Sequence, residues 1–156
     1  MKINWFRFVV SLVMCQLAGI IGTFFTANSI STWYASLNKP SFNPPGWIFG
    51  PVWITLYILM GISFYLIWMK KDKINFKLLS SLFIIQLILN SLWTIIFFGL
   101  HSPFFAFIEI IILWIMILLC IILFYKISKK SSYLLIPYLL WVSFASILNF
   151  FLWKLN

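Results

Sequence analysis

The sequence predicts an all-α integral membrane protein, a bundle of five transmembrane helices with the N-terminus inside and the C-terminus outside. Three observations predict it. The 156 residues are 64% hydrophobic and only 8% charged, with a mean hydropathy of +1.10. Such a chain in water would expose more apolar surface than a soluble monomer tolerates. Five apolar runs follow one another: Phe8–Thr26, Trp47–Met69, Leu78–Leu100, Phe104–Tyr125 and Tyr133–Trp153. Each reaches the roughly 18 residues of a spanning-helix candidate, and none shows the alternation of a membrane β-barrel. Lastly, the charges sort by side. Lys2, Arg7, Lys70, Lys71, Lys73, Lys77, Lys126, Lys129 and Lys130 fall at one end of such a bundle, and only Lys39 and Lys154 at the other. That asymmetry is the positive-inside signature. It accounts for the formal charge of +9 without any nucleic-acid partner, and it favours anionic head groups.

Taken in order, the predicted helices cover about 6–27, 47–69, 77–100, 104–126 and 133–153, in one domain spanning 1–156. Lys2 and Arg7 before the first run invite comparison with a signal peptide. The run is longer than a usual signal core and no small-x-small cleavage site follows, so it reads as a mature helix. Its small residues Ser11, Cys15, Gly19 and Thr23, with Ala18 and Gly22, predict a close helix approach, inside the bundle or at a dimer seam.

The segment 28–46 is the one long connection. Pro40, Pro44 and Pro45 restrict its backbone, and its Asn and Ser residues favour turns. An ordered cap on the outer face is therefore expected. The other connections are short, and no internal repeat suggests transporter halves.

Catalytic chemistry has little material. The chain holds two acids, Asp72 and Glu109, and one histidine, His101. No paired carboxylates, metal-ligand set or nucleophile–base arrangement can be assembled, so neither a metal nor a cofactor is expected. Cys15 and Cys120 stand alone in apolar runs and read as packing residues. Glu109 is the sole acid inside a run, which makes it a functional candidate near a helix end, partly hydrated or bonded to a neighbour.

Helical spacing gives a stronger signal. Gln86, Asn90, Trp93 and Phe97 share one face of the third predicted helix, and Tyr138, Trp141, Ala145 and Asn149 share one on the fifth, with Leu148 adjacent. Trp53, Tyr57 and Gly61 align on the second. Amides and indoles cost energy in hydrocarbon unless paired, so these faces should point inward. Under a cap that holds Trp33 and Trp47, they predict a cavity for a flat, largely apolar ligand. Rings would stack on it and the amides would meet its polar groups.

At these residues the chain resembles the TspO/MBR family of tryptophan-rich membrane proteins. The matching segments are WYASLNKPSFNPPGWIFGPVWITLYILMG at 33–61, QLILNSLWTIIFFG at 86–99 and PYLLWVSFASILNFFLW at 137–153. The resemblance implies a five-helix bundle, usually a homodimer in a bacterial cell membrane, with a pocket beneath the first loop. It implies binding of porphyrins and other tetrapyrroles, and in eukaryotic members of sterols and benzodiazepine-type drugs. Ligand-binding roles carry over to Trp47, Gly50, Pro51 and Trp53, to Asn90, Trp93, Phe97 and Phe98, and to Trp141, Ala145 and Leu148. In some bacterial members the tryptophans matching Trp53 and Trp141 take part in light- and oxygen-dependent porphyrin breakdown, so a degrading enzyme is the alternative function. A small-molecule uptake subunit with an energised partner is another. Two departures stand out. Phe42 occupies a position that is often Trp, and LNFFLWK at 148–154 lacks the tyrosine of the animal sterol pattern.

Overall fold

The computed structural model describes residues 3–73 and 75–156, with the side chain of Lys73 outside the description. Of the cations used above for orientation, Lys2 and the Lys73 side chain thus lie outside the described residues. The elements are α1 (Trp5–Ser31), the short α2 (Trp33–Ser36), α3 (Phe49–Trp68), α4 (Phe76–Thr94), α5 (Pro103–Tyr125) and α6 (Lys129–Leu155). One π-helical turn, Ile95–Gly99, extends α4. Among the described residues, five helical segments are long and apolar enough to cross a membrane.

α1, α4, α5 and α6 begin where the sequence supplies a start signal. Asn4 caps α1 by accepting from the Arg7 amide, and Asn75 caps α4 by accepting from Leu78. Pro103 opens α5, where its missing N–H costs nothing. Ser128 caps α6 by accepting from Ser131, so that helix starts at Lys129 and absorbs residues that read as connection. Likewise α1 runs to Ser31, four residues past its predicted end at 27. Thr32 bonds back to the Asn28 carbonyl at 2.6 Å and closes that last turn.

The helices close into a ring in the order α1–α3–α6–α5–α4 and back to α1. α1 and α3 approach closely at Gly61, where an added Cβ would lie 3.0 Å from the Leu12 Cα. The buried small residues Ser11, Cys15, Ala18 and Gly22 all face into the ring. These four members of the small-residue stripe pack within the chain, while Thr23 is exposed.

The inner half of the ring is solid. Met60, Phe64, Phe83, Ile117, Phe124 and Tyr138 fill it, with Phe83 stacked on Phe64 at 4.7 Å and on Phe124 at 6.1 Å. Ser63 and Ser131 exchange hydroxyl and carbonyl bonds between α3 and α6 there. The outer half holds a second cluster, Tyr34, Phe97, Ala106, Leu148 and Leu152, beside a cavity.

The segment after α1 is an ordered cap. The Tyr34 hydroxyl donates to Asn43 Oδ1 at 2.6 Å, and the Asn43 amide closes a turn on the Pro40 carbonyl at 3.0 Å. The C-terminal Asn156 clamps the strap from outside, accepting from the Asn38 amide at 2.9 Å and donating to its carbonyl at 3.0 Å. Phe42 packs edge-on against Phe151 and Phe144, centroids 5.4 and 6.3 Å away, so the position keeps an aromatic role with the smaller ring. Burial pushes the Tyr34 hydroxyl up to about 12 from the ordinary 10.0, against the opposing pull of its bond to Asn43.

Candidate functional site: an aromatic cavity beneath the cap

The cavity has a volume of about 620 Å³, within the range of small-molecule sites. Its roof is Tyr34, Gly46 and Trp47, and the inner wall on α3 is Phe49, Trp53 and Tyr57. Trp93, Phe97 and Phe98 supply the α4 side, and Trp141, Ala145, Leu148 and Asn149 the α6 side. The π turn explains the α4 contribution. Leu100 donates to the Ile95 carbonyl, and the wider turn swings Phe97 and Phe98 onto the same cavity. Trp93 then stacks on Phe97 at 5.2 Å and meets Phe98 edge-on at 6.1 Å.

Nine residues singled out in the sequence line this space: Trp47, Gly50, Trp53, Trp93, Phe97, Phe98, Trp141, Ala145 and Leu148. Two do not. Pro51 is exposed in the first turn of α3, where its ring fixes the helix start and its absent N–H is harmless. Asn90 sits below the floor, 3% exposed. It accepts from the Tyr57 hydroxyl at 2.5 Å and donates to the Tyr138 hydroxyl at 2.9 Å. This chain joins α3, α4 and α6 and holds the Tyr57 ring flat beneath Trp53, which stacks on it at 5.6 Å.

The amides of the cavity wall are also engaged within the protein. Asn149 accepts from the Trp93 indole at 3.0 Å and donates to the Pro103 carbonyl at 2.7 Å. Thr23 and Thr26 donate to carbonyls of their own helix, and Gln16 donates to the Ile54 carbonyl. These wall groups are engaged within the protein, whereas the indole N–H groups of Trp47, Trp53 and Trp141 make no hydrogen bond among the described residues.

The α1 wall was the part hidden from sequence reasoning. Gln16, Gly19, Ile20, Gly22, Thr23, Thr26, Ala27 and Ile30 all line the cavity. Gly19 lies so close to the Tyr57 ring that a methyl group there would collide with it. Beyond that point toward the cap, the wall residues Ile20, Thr23, Ala27, Gly50 and Ile54 are exposed, and Trp47 is 75% exposed. The cavity therefore opens along the seam between α1 and α3, as well as lying under the cap.

Glu109 is placed elsewhere. It is 5% exposed on α5, does not line the cavity, and neither carboxyl oxygen has a hydrogen-bond partner among the described residues. Gln86 is likewise buried with both amide atoms unpartnered among those residues, so the polar stripe on α4 divides between floor and core. His101 also stays outside the cavity. It stacks on Trp33 at 4.5 Å with its Nε2 3.4 Å from the Ser29 hydroxyl, and so pins the α4–α5 connection under α2.

The TspO/MBR family profile matches residues 11–154. The chain is 45% identical to the Tryptophan-rich protein TspO of Archaeoglobus fulgidus over 98% of this chain and 99% of that protein. It is 38% identical to Protein CrtK of Rhodobacter capsulatus, over 96% and 92% of the two chains. With the Translocator protein of Homo sapiens it shares 35% identity, over 90% and 85%. Five apolar helices, the tryptophan-rich cap and these full-length similarities lead to one assignment: this multi-pass membrane protein belongs to the TspO/MBR family.

Proposed function

We propose that the protein is a membrane receptor or translocator that binds porphyrins and similar flat, hydrophobic molecules in the cavity beneath its cap. The observation that carries this reading is the cavity of about 620 Å³ walled by indole and phenyl rings from α3, α4 and α6. A site of that kind selects by shape and stacking. Indole and phenyl faces from α3, α4 and α6 would sandwich a planar macrocycle, each ring contact adding about 0.5–1.5 kcal/mol beyond area burial. Polar substituents of the ligand would point to the open seam, where head groups and water satisfy them.

The test is a titration of the purified protein with protoporphyrin, followed by tryptophan fluorescence. Saturable quenching is expected, and Ala145→Phe, which fills the cavity, should weaken it at least tenfold. Unchanged quenching in Ala145→Phe, with the fold intact by circular dichroism, would place the ligand elsewhere.

A second reading, porphyrin breakdown under light and oxygen, is favoured by one arrangement. Trp53 stacks on Tyr57 and meets Tyr138 edge-on at 6.2 Å, which gives an oxidised indole a short route to hydroxyls bonded to Asn90. Illumination of the bound porphyrin should then yield a product that Trp53→Phe, Trp141→Phe removes. Identical products from wild type and the double variant would rule this reading out.

A homodimer, which family resemblance implies, would not use Ser11, Cys15, Ala18 or Gly22 of α1, which are buried within the chain.

A further inference from the structure

The basic end of the bundle carries a groove unrelated to the aromatic cavity. It lies between the end of α5 and the start of α6, lined by Ile121, Ile122, Tyr125, Lys126, Tyr133 and Ile136, with Ser132 at its base. Ser132 spends its hydroxyl on the Ile121 carbonyl at 2.9 Å, so the groove floor is apolar. Ile122 and Ile136 are 47% and 38% exposed. Above them the rings of Tyr125 and Tyr133 stand together, centroids 6.0 Å apart, at the level where amphipathic rings meet head groups.

The mouth of this groove is positive on several counts. Lys126 lines it, Lys129 places its ammonium 5.6 Å from the Tyr125 ring centroid, and Lys130 follows. Of the two carboxylates of the chain, Glu109 lies near the opposite end of α5, and Asp72 lies in the α3–α4 connection two residues from Lys70. The carbonyls that close α5 are already engaged: that of Phe124 accepts from Ile127 and Ser128, and that of Ile127 accepts from the Lys70 ammonium at 2.6 Å. Close by in sequence, α6 begins at Lys129, and the Ser131 and Ser132 amides of its first turn are already taken by Ser128.

We infer that this groove is a binding site for one anionic phospholipid of the inner leaflet. Its phosphate sits between Lys126 and Lys129, and an acyl chain lies on Ile121, Ile122 and Ile136. The occupant is a lipid because charge and apolar groove adjoin: free phosphate would leave the isoleucines bare, and a neutral lipid would leave the lysines unmatched. Such a lipid would tie α5 to α6 at the end of the bundle opposite the cap.

Native mass spectrometry of the full-length chain in detergent, titrated with phosphatidylglycerol or phosphatidylcholine of equal chain length, tests this. One phosphatidylglycerol per chain should be retained, at least tenfold more tightly than phosphatidylcholine. Lys126→Gln, Lys129→Gln should lose that preference by about tenfold or more. Lys71→Gln, Lys77→Gln, with the same charge change at the same end, should keep it. Ile136→Trp, which fills the groove without touching charge, should also weaken retention, with thermal melting confirming that each variant is folded. Equal losses in the two lysine pairs would show general surface attraction and overturn the site. Displacement of the lipid by millimolar inorganic phosphate, or full retention in Ile136→Trp, would overturn the acyl groove.

Discussion

The Trp93 indole donates a 3.0 Å hydrogen bond to Asn149 Oδ1, and the same amide donates onward to the Pro103 carbonyl at 2.7 Å. One side chain therefore joins the walls contributed by α4 and α6 to the first residue of α5. Asn149→Ala leaves the Trp93 N–H and the Pro103 carbonyl without partners, at a cost of about 1–3 kcal/mol. The expected outcome is a lower unfolding midpoint in mild detergent together with red-shifted tryptophan emission. An unchanged midpoint would mean that the three helices are held together elsewhere.

Asn90 makes a different prediction, because it lies under the floor. Asn90→Leu removes the shared partner of the Tyr57 and Tyr138 hydroxyls and should destabilise the bundle by about 2 kcal/mol or more. Porphyrin quenching, measured where the variant remains folded, should fall less than for Ala145→Phe. A variant that keeps full stability and abolishes quenching would make Asn90 a direct ligand contact.

Glycines give a matched pair. A Cβ at Gly19 would run into the Tyr57 ring, whereas one at Gly50 would meet nothing within 4 Å. Gly19→Ala should therefore lower the melting temperature and disturb the cavity. Gly50→Ala should be neutral or raise stability by up to about 1 kcal/mol through helix propensity. Thermal melts of both variants settle the comparison.

Glu109 offers a gain. Its carboxyl is buried with neither oxygen bonded among the described residues, so Glu109→Met should stabilise the protein by about 1–3 kcal/mol. Porphyrin quenching should stay as in wild type, since Glu109 is not in the cavity wall. A loss of quenching would reveal a role for the acid that its position does not suggest.

The cap carries a pH signature. The Tyr34 hydroxyl is held up to about 12 from 10.0 by burial, so the folded state favours its neutral form. The associated stability is fully present below about pH 10 and is lost as pH rises toward 12. Comparing melting temperatures of wild type and Tyr34→Phe across that window isolates the effect: the difference between them should change there and stay constant between pH 6 and 9.

Much of this organisation was legible in the sequence, for physical reasons that differ by element. The five crossings could be read because lipid demands long uncharged helices, and the cap because Pro40, Pro44 and Pro45 restrict the backbone. Trp53, Trp93 and Trp141 could be placed because large rings at helical spacing need a common inner face. The α1 wall was not legible, since Gly19, Gly22 and Thr23 look alike whether they admit a neighbouring helix, a second copy or a cavity. Nor could spacing separate Asn90 from Asn149. Both follow the same stripe logic, and only the hydroxyls of Tyr57 and Tyr138 draw one of them beneath the floor. The ends of α1 and α6 moved because Thr32 and Ser128 close turns that composition alone reads as connection.

The seam between α1 and α3 changes what an affinity would mean for this protein. A hydrophobic guest dissolved in the bilayer meets an opening in the same phase, so the relevant concentration is its mole fraction among the lipids. Adding vesicles at fixed guest and fixed protein dilutes that fraction and should lower occupancy, though nothing in the aqueous volume has changed. A dissociation constant expressed per litre of buffer will drift with lipid content, while one expressed per lipid should hold still.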